Sequence, residues 1–501
     1  MAIRIGITLL FAFASLGLKA QHLDKSDYVW VLGGAMIDSA TRGGFLINFH
    51  TKPPTITYSE IPMLLMGVAP ISDPEGNLLF YSNGCFIANK KHQIMMNGQG
   101  INEGYIATVY CQEMGGYPTG GGLIALPMPG DPSKFILFHI WIDNNARRRR
   151  VLYSQVDIEA DHGLGAVTQK NMIALEDTVS DYISAVKHGN GRDWWIIVPK
   201  WMSNRYYVFL LDPTGVHPPL QQHIGPVWWP RDWSGQAVFS PDGTKYVRAN
   251  PENGLQIFDF DRCTGRLSKP LVIPSQSNAA CGVAFSPSSR YLYLSTGSQL
   301  FQFDMHAPHI PNSRKLVGQY DGFMGPLPTT FYQMMLTPDG KIYMGATNGV
   351  RYLHVIHEPD SVGLACNLVQ RDIETPVSFS WVLPNLPHFR LYDWPDSPCD
   401  TLGINGGPWW TSAKERLSVL ERLDLAPNPA QEYVRLRFPK AFSGTVQIRD
   451  ASGREVLRQA INAVEQETIR IDVPHLPAGV YYVCAIGERD LFRTEKLVVV
   501  R

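Results

Sequence analysis

A chain of 501 residues exceeds one small core, and two domains are the expectation. Hydrophobic content of 45% fits a folded protein, while a net charge of −1 excludes a global field that would gather nucleic acid or an anionic membrane. With 44 Gly and 37 Pro, the composition suits many short strands joined by turns.

The chain begins like an exported protein. Arg4 gives a positive start, residues 5–18 are apolar, and Lys19-Ala20-Gln21 follows. This predicts a signal peptide over 1–20, cut after Ala20. No Cys follows the apolar run, which argues against a lipoprotein, and no later stretch is apolar for long enough to span a bilayer. Export makes the cysteines at 85, 111, 263, 281, 366, 399 and 484 candidates for disulfides. Nearest-neighbour pairing (85–111, 263–281, 366–399) is the simplest of 15 connectivities for six cysteines, and buried free thiols are the alternative.

Short strands are predicted at 28–33 and 45–49. A first blade-like fragment covers 71–96, with Asp73-Pro74-Glu75-Gly76-Asn77 at its turn. The Gly-rich stretch 115–122 is a loop; it lacks the Lys-Ser/Thr ending of a phosphate-binding loop. Residues 135–142 and 151–156 form a hairpin whose tip ends in four arginines, 147–150. Its plain reading is a solvated tip; the sharper one is an acidic-ligand contact or a protease-sensitive site. Another three-strand unit covers 182–211.

Residues 236–260 then give the pattern its clearest form: strand, Ser240-Pro241-Asp242-Gly243 turn, strand, turn, strand. It returns at 283–305 with Ser286-Pro287-Ser288-Ser289, and at 334–356 with Thr337-Pro338-Asp339-Gly340. The turn prolines at 241, 287 and 338 are 46 and 51 residues apart, close to the roughly 40–50 residues of a WD40-like propeller blade. The period predicts a β-propeller over 22–395 with seven blades, six being the alternative, and with 378–383 closing the ring. Asp242 and Asp339 are read as turn residues that bond their own backbone.

Residues 396–424 read as a linker, and 425–501 as a small immunoglobulin-like β-sandwich. The motifs in it are Ala426-Pro427-Asn428-Pro429-Ala430, then Asp450-Ala451-Ser452-Gly453, then Pro477-Ala478-Gly479-Val480-Tyr481, and a last strand from Lys496. This stretch resembles the type A sorting domain of the type IX secretion system. The resemblance implies a non-catalytic address read at the outer membrane of a Gram-negative cell, with Pro427, Asn428, Pro429, Gly453, Gly479, Tyr481 and Lys496 as its motif residues. Residues 22–395 resemble secreted propellers that carry such domains, a resemblance that implies fold and location and no settled activity.

For function, the histidines show no metal-ligand spacing and no Gly-x-Ser-x-Gly elbow is present, so no metal, cofactor or catalytic residue is expected. The candidate ligand site is Trp228, Trp229, Arg231, Asp232 and Trp233, in a loop leading into an inner strand. Indoles beside Arg and Asp suit a glycan or peptide; the competing reading is packing between blades or a plug in the channel. The expected partners are the type IX machinery and a glycan or protein ligand, and not nucleic acid. A binding propeller and a secreted hydrolase or lyase remain the two readings. A cluster of carboxylates or His at the channel mouth would favour the second.

Overall fold

The structure is a computed structural model that describes residues 24–33, 43–61, 67–114, 116–228, 235–274, 281–402, 404, 424–437, 442–450, 455–464, 468–487 and 495–501. The expected signal peptide lies outside them. No helix among the described residues is long and apolar enough to cross a membrane. The chain divides into two compact units, 1–409 and 410–501.

In the first unit the described strands form seven blades, each antiparallel within itself, over 29–59, 69–99, 123–176, 184–223, 236–273, 282–319 and 334–379; blades 2 and 3 are joined at their outer edges by a parallel pairing of Ala166 with Met96. The turns that set the sequence period are alike in detail. Gly243 and Gly340 take φ of 71° and 82°, the left-handed region that closes the turn at little cost for glycine. Blade 6 has Ser289 there at φ 63°, and the same backbone bond closes it: Ser289 N donates to Ser286 O at 2.9 Å, as Gly243 N does to Ser240 O at 2.8 Å. The Ser289 hydroxyl in turn accepts from Asp242 N at 3.0 Å. Asp242 caps its own turn, accepting from Thr244 N at 2.9 Å, as expected of a structural aspartate.

The inner strands Ala69–Ser72, Leu123–Pro127, Ser184–Lys187, Gln236–Phe239, Gly282–Phe285 and Met334–Leu336 all begin on one rim, here the upper. Between blades the faces interlock through aromatics. Tyr206, Tyr246, Phe258 and Phe239 join blades 4 and 5, and Trp30, Phe45, Tyr343 and Phe379 join blade 7 to blade 1. Each such ring, when fully buried, contributes about 1.5–3 kcal/mol.

Among the described residues blade 1 has three strands, and its first, Val29–Gly33, starts at the lower rim, where Ser26 O accepts from Ser72 N at 2.9 Å. Among those residues the first blade thus brings no downward inner strand of its own. Ser378 and Phe379 end the last strand of blade 7, and the chain then descends through the channel as a strap, 380–393, without ladder bonds. At the top, Leu383 N donates to Gln333 Oε1 at 3.4 Å, and the Asn385 carboxamide reaches Gly121 O, Leu123 O and Ile183 O at 3.2, 2.9 and 2.7 Å. Phe389 is buried edge-on against Trp194. At the bottom, Arg390 forks onto Asp27, and Arg262 donates to the carbonyls of Lys187, His188 and Tyr392. The void left beside the strap is about 30 Å³, room for about one water.

The strap also decides the disulfides. Cys85–Cys111 forms as the simplest pairing has it, but Cys263 bonds Cys399, and Cys281 and Cys366 are buried free thiols. The expected 263–281 and 366–399 bridges fail for a geometric reason. Cys263 sits in a lower-rim turn, Cys281 precedes an inner strand on the upper rim, and the strap delivers Cys399 to the lower rim. Residues 396–399, placed by the sequence in a linker, are thereby tied covalently to blade 5.

The second unit is a sandwich of two sheets. One holds Asp424–Ala426, Tyr433–Arg437 and Thr468–Asp472. The other holds Glu455–Val464, Phe442–Asp450, Gly479–Gly487 and Glu495–Val499 in that order. Val434, Leu436, Val446, Ile448, Ile471, Val483 and Leu497 fill the space between them.

Candidate functional site: a cleft on the upper rim

With the channel filled, the open space of the upper rim lies between its loops. The hairpin of blade 3 joins Lys134–Ile142 to Arg148–Asp157 through a tip shaped by Asp143, whose Oδ1 accepts from Asn145 N and Arg147 N, both at 2.9 Å. Next to it runs the connection 177–183, and beyond that the turn of blade 4 that carries Trp201. Trp201 N donates to Thr178 O at 3.1 Å and fixes the two loops together. Between them lies a cleft of about 420 Å³, lined by Asn145, Ala146, Arg147, Arg148, Thr178, Val179 and Trp201. That volume is in the range of ordinary ligand sites.

Arg148, one of the lining residues, is held by the buried Asp181. Asp181 accepts from Thr119 Oγ1 at 2.6 Å, from Gly120 N at 2.9 Å and from Arg148 Nη2 at 3.3 Å. The Gly-rich loop is what lets the chain approach so closely. A Cβ on Gly122 would stand 2.2 Å from Thr119 Oγ1, and one on Gly121 3.0 Å from Asp181 O. Burial works against the charge of Arg148, but Asp181 more than offsets it, so the guanidinium is held above its ordinary pKa. The other carboxylates nearby are also engaged. Asp177 is partly buried, which alone would raise its pKa, yet Lys200 and Tyr207 hold it below the usual range.

The four arginines separate. Arg149 binds Thr178 Oγ1 at 2.8 Å and leans on Asp143; Arg150 pairs with Glu176 at 2.8 Å and lies over Trp141. Arg147 is exposed and has no carboxylate partner among the described residues. The sequence flagged this run; it gave no sign that Trp201, far along the chain, would face it.

The Trp-rich loop behaves differently from expectation where it can be seen. Trp228 is 1% exposed and stacks on Arg248, 3.9 Å from the ring centre, with Tyr182 and Tyr206 around the same guanidinium. This is packing under the rim, so Trp228 is corrected from ligand contact to core. Trp229, Arg231, Asp232 and Trp233 lie outside the described residues.

In the sandwich, Asn428 ties the start of the domain to its end. Its amide donates to Lys496 O at 2.6 Å and its oxygen accepts from Val498 N at 2.9 Å. Pro427 and Pro429 flank it. Tyr481 is buried and donates to Pro477 O at 2.8 Å, while Lys496 is exposed. Gly479 meets only ordinary contacts, so nothing steric demands glycine there; Gly453 lies outside the described residues.

A seven-bladed ring with its channel filled, followed by this sandwich, defines a secreted β-propeller protein. The sandwich is its address: residues 424–500 match the family profile "Secretion system C-terminal sorting domain", which places the protein in the medium or on the outer surface of a Gram-negative cell.

Among solved structures the chain is similar to a "putative 6-phosphogluconolactonase" from Bacteroides uniformis, at 15% identity and TM-score 0.42, covering 70% of this chain and 97% of that one. It is also similar to a functionally unknown protein from Desulfotomaculum acetoxidans, at 13% identity and TM-score 0.40, covering 72% of this chain and 99% of that one. A third is the Cps50 (Swd1) β-propeller domain of Myceliophteria thermophila, at 13% identity and TM-score 0.31, covering 76% of this chain and 97% of that one. The propeller assignment rests on the sheet order above and not on these likenesses. No curated protein matches the chain.

Proposed function

We propose that the protein is a non-catalytic binding propeller, exported by the type IX machinery, that holds a glycan or protein ligand in the upper-rim cleft. The observation that carries this reading is the cleft itself: about 420 Å³, with an indole and the exposed Arg147 in its walls, beside a channel filled by the chain's own strap. A hydrolase or lyase needs a carboxylate or His free to take a proton. Around the cleft Asp143 shapes the tip, Asp177 holds Lys200 and Asp181 holds Arg148, which favours binding over turnover.

The test is a glycan and peptide array probed with the full-length protein and with Trp201→Ala. A ligand lost in the variant, with no product formed from it, supports the reading. Turnover of a hit, or hits indifferent to Trp201, would overturn it.

A further inference from the structure

The cleft's walls carry more information than its size. Of the cations that surround it, Arg148 is held by Asp181, Arg149 by Thr178 and Asp143, Arg150 by Glu176 and Lys200 by Asp177. Arg147 remains, exposed at the tip with no carboxylate partner among the described residues, in the wall of the same cleft as the half-buried Trp201. The Thr178 hydroxyl accepts from Arg149, so its own proton is available to a ligand. Asn145, exposed beside it, offers both a donor and an acceptor.

From this set we infer that the cleft binds an acidic saccharide, one bearing a uronate carboxylate. The carboxylate lies against Arg147, a sugar ring stacks by its apolar face on Trp201, and hydroxyls meet Thr178 and Asn145. The inference rests on the binding reading above and narrows it to a ligand class. Each element of the ligand answers one on the protein. A guanidinium forks onto a carboxylate in two parallel bonds. An indole offers a flat apolar face with modest entropy to lose. A threonine hydroxyl and a carboxamide recognise hydroxyls. Among the described cations around the cleft, Arg147 is the one without a carboxylate or hydroxyl partner, which matches one carboxylate per ring. It does not suit nucleic acid, which needs several cations along its backbone.

The full-length protein is titrated with oligogalacturonate, oligomannuronate and hyaluronan fragments, and with cellotetraose as the neutral control. Calorimetry and tryptophan fluorescence give the readouts. At least one uronate oligomer should bind saturably, more weakly as salt rises, and cellotetraose should not. Arg147→Ala should weaken that binding about tenfold to a hundredfold with an unchanged melting temperature, and Arg147→Lys should restore part of it. Trp201→Ala should weaken it as well, since it removes the indole and keeps the backbone N–H that bonds Thr178 O; the exposed Arg147 tests the charge.

Cellotetraose binding as tightly as the uronates, or uronate binding unmoved by Arg147→Ala, overturns the acidic-sugar inference. Either result leaves the binding reading standing if Trp201→Ala still abolishes the contact. A peptide ligand lost in Trp201→Ala, with no sugar bound, does the same. No ligand of any kind sensitive to either variant overturns both.

Discussion

Arg390 and Asp27 stand 363 residues apart and meet through two parallel hydrogen bonds of 2.6 and 2.7 Å. The pair joins the end of the strap to the segment before blade 1, and Arg390 adds a third bond to Asp24 O at 3.2 Å. Both groups are shielded, and burial works against the charge of Arg390, yet Asp27 holds its pKa above the ordinary value. Removing one partner leaves the other charge buried and alone. Arg390→Ala or Asp27→Ala should therefore destabilise the propeller by about 3–5 kcal/mol. Chemical denaturation of the single and double variants checks this, and a double variant no worse than either single one confirms direct coupling.

The upper end of the strap is held by neutral bonds. Asn385→Ala removes a donor that satisfies carbonyls from two strand starts and the Gly-rich loop, and should cost about 1–3 kcal/mol. Asn385→Asp should cost more, since it turns a carboxylate toward three carbonyl oxygens. A loss under 0.5 kcal/mol, on the order of an ordinary surface change, would mean that the strap is held elsewhere.

The two disulfides close loops of different length, with sequence separations of 26 and 136. In the chain-entropy account the longer bridge restricts the unfolded state more, so Cys399→Ser should cost about 5 kcal/mol and Cys111→Ser about 3.5 kcal/mol. A non-reducing peptide map should return 85–111 and 263–399, with Cys281 and Cys366 alkylated only after unfolding. Peptides linking 263 to 281 would contradict the arrangement.

Acid should destabilise the propeller through its buried histidines. Burial pushes His139 down to about 3, and His354 and His388 down to about 4. A depressed folded pKa means stability that is present above about 6.5, the unfolded value, and lost as the pH falls toward 4. Asp24 has the opposite sign. Burial raises it to about 6, so its contribution is greatest below about 4 and fades as the pH rises through 6. The three histidines outnumber it, and melting temperature should fall between pH 6.5 and 4. Replacing His388 with Gln should flatten that slope, and Asp24→Asn should steepen any decline toward acid. A profile flat over this range would sink the assignment.

Deleting 425–501 should leave the protein in the periplasm, because the sorting domain is the part read at the outer membrane. Fractionation of cells and medium checks it. Unchanged appearance outside the cell would refute the address role.

The sequence revealed what repeats and what has fixed local chemistry. Pro-Asp-Gly turns set the blade period because proline and glycine fix backbone angles wherever they stand. The sorting motif was legible because Asn428 and Tyr481 make bonds within a few residues or to one edge strand. The strap was not legible. Asn385, Phe389 and Arg390 sit in a segment with no alternation, and each is satisfied by a partner about 200–360 residues away. For the same reason, no local signal paired Trp201 with Arg147. Trp228 shows the converse hazard: a large apolar residue in a loop looks available until its partner, Arg248 on a neighbouring strand, is seen beneath it.

The strap gives the molecule a sense of completeness. Blades 2 to 7 can pair their strands as each leaves the ribosome or the export channel, since those contacts are local. The axis stays open until residue 393 has arrived, and only then can Asn385, Phe389 and Arg390 join blades 3 and 4 to the segment before blade 1. A chain cut short anywhere before that point holds sheets without a centre, with Trp194 and Asp27 left facing water. The centre of the propeller is therefore supplied by the last part of its own unit to be made.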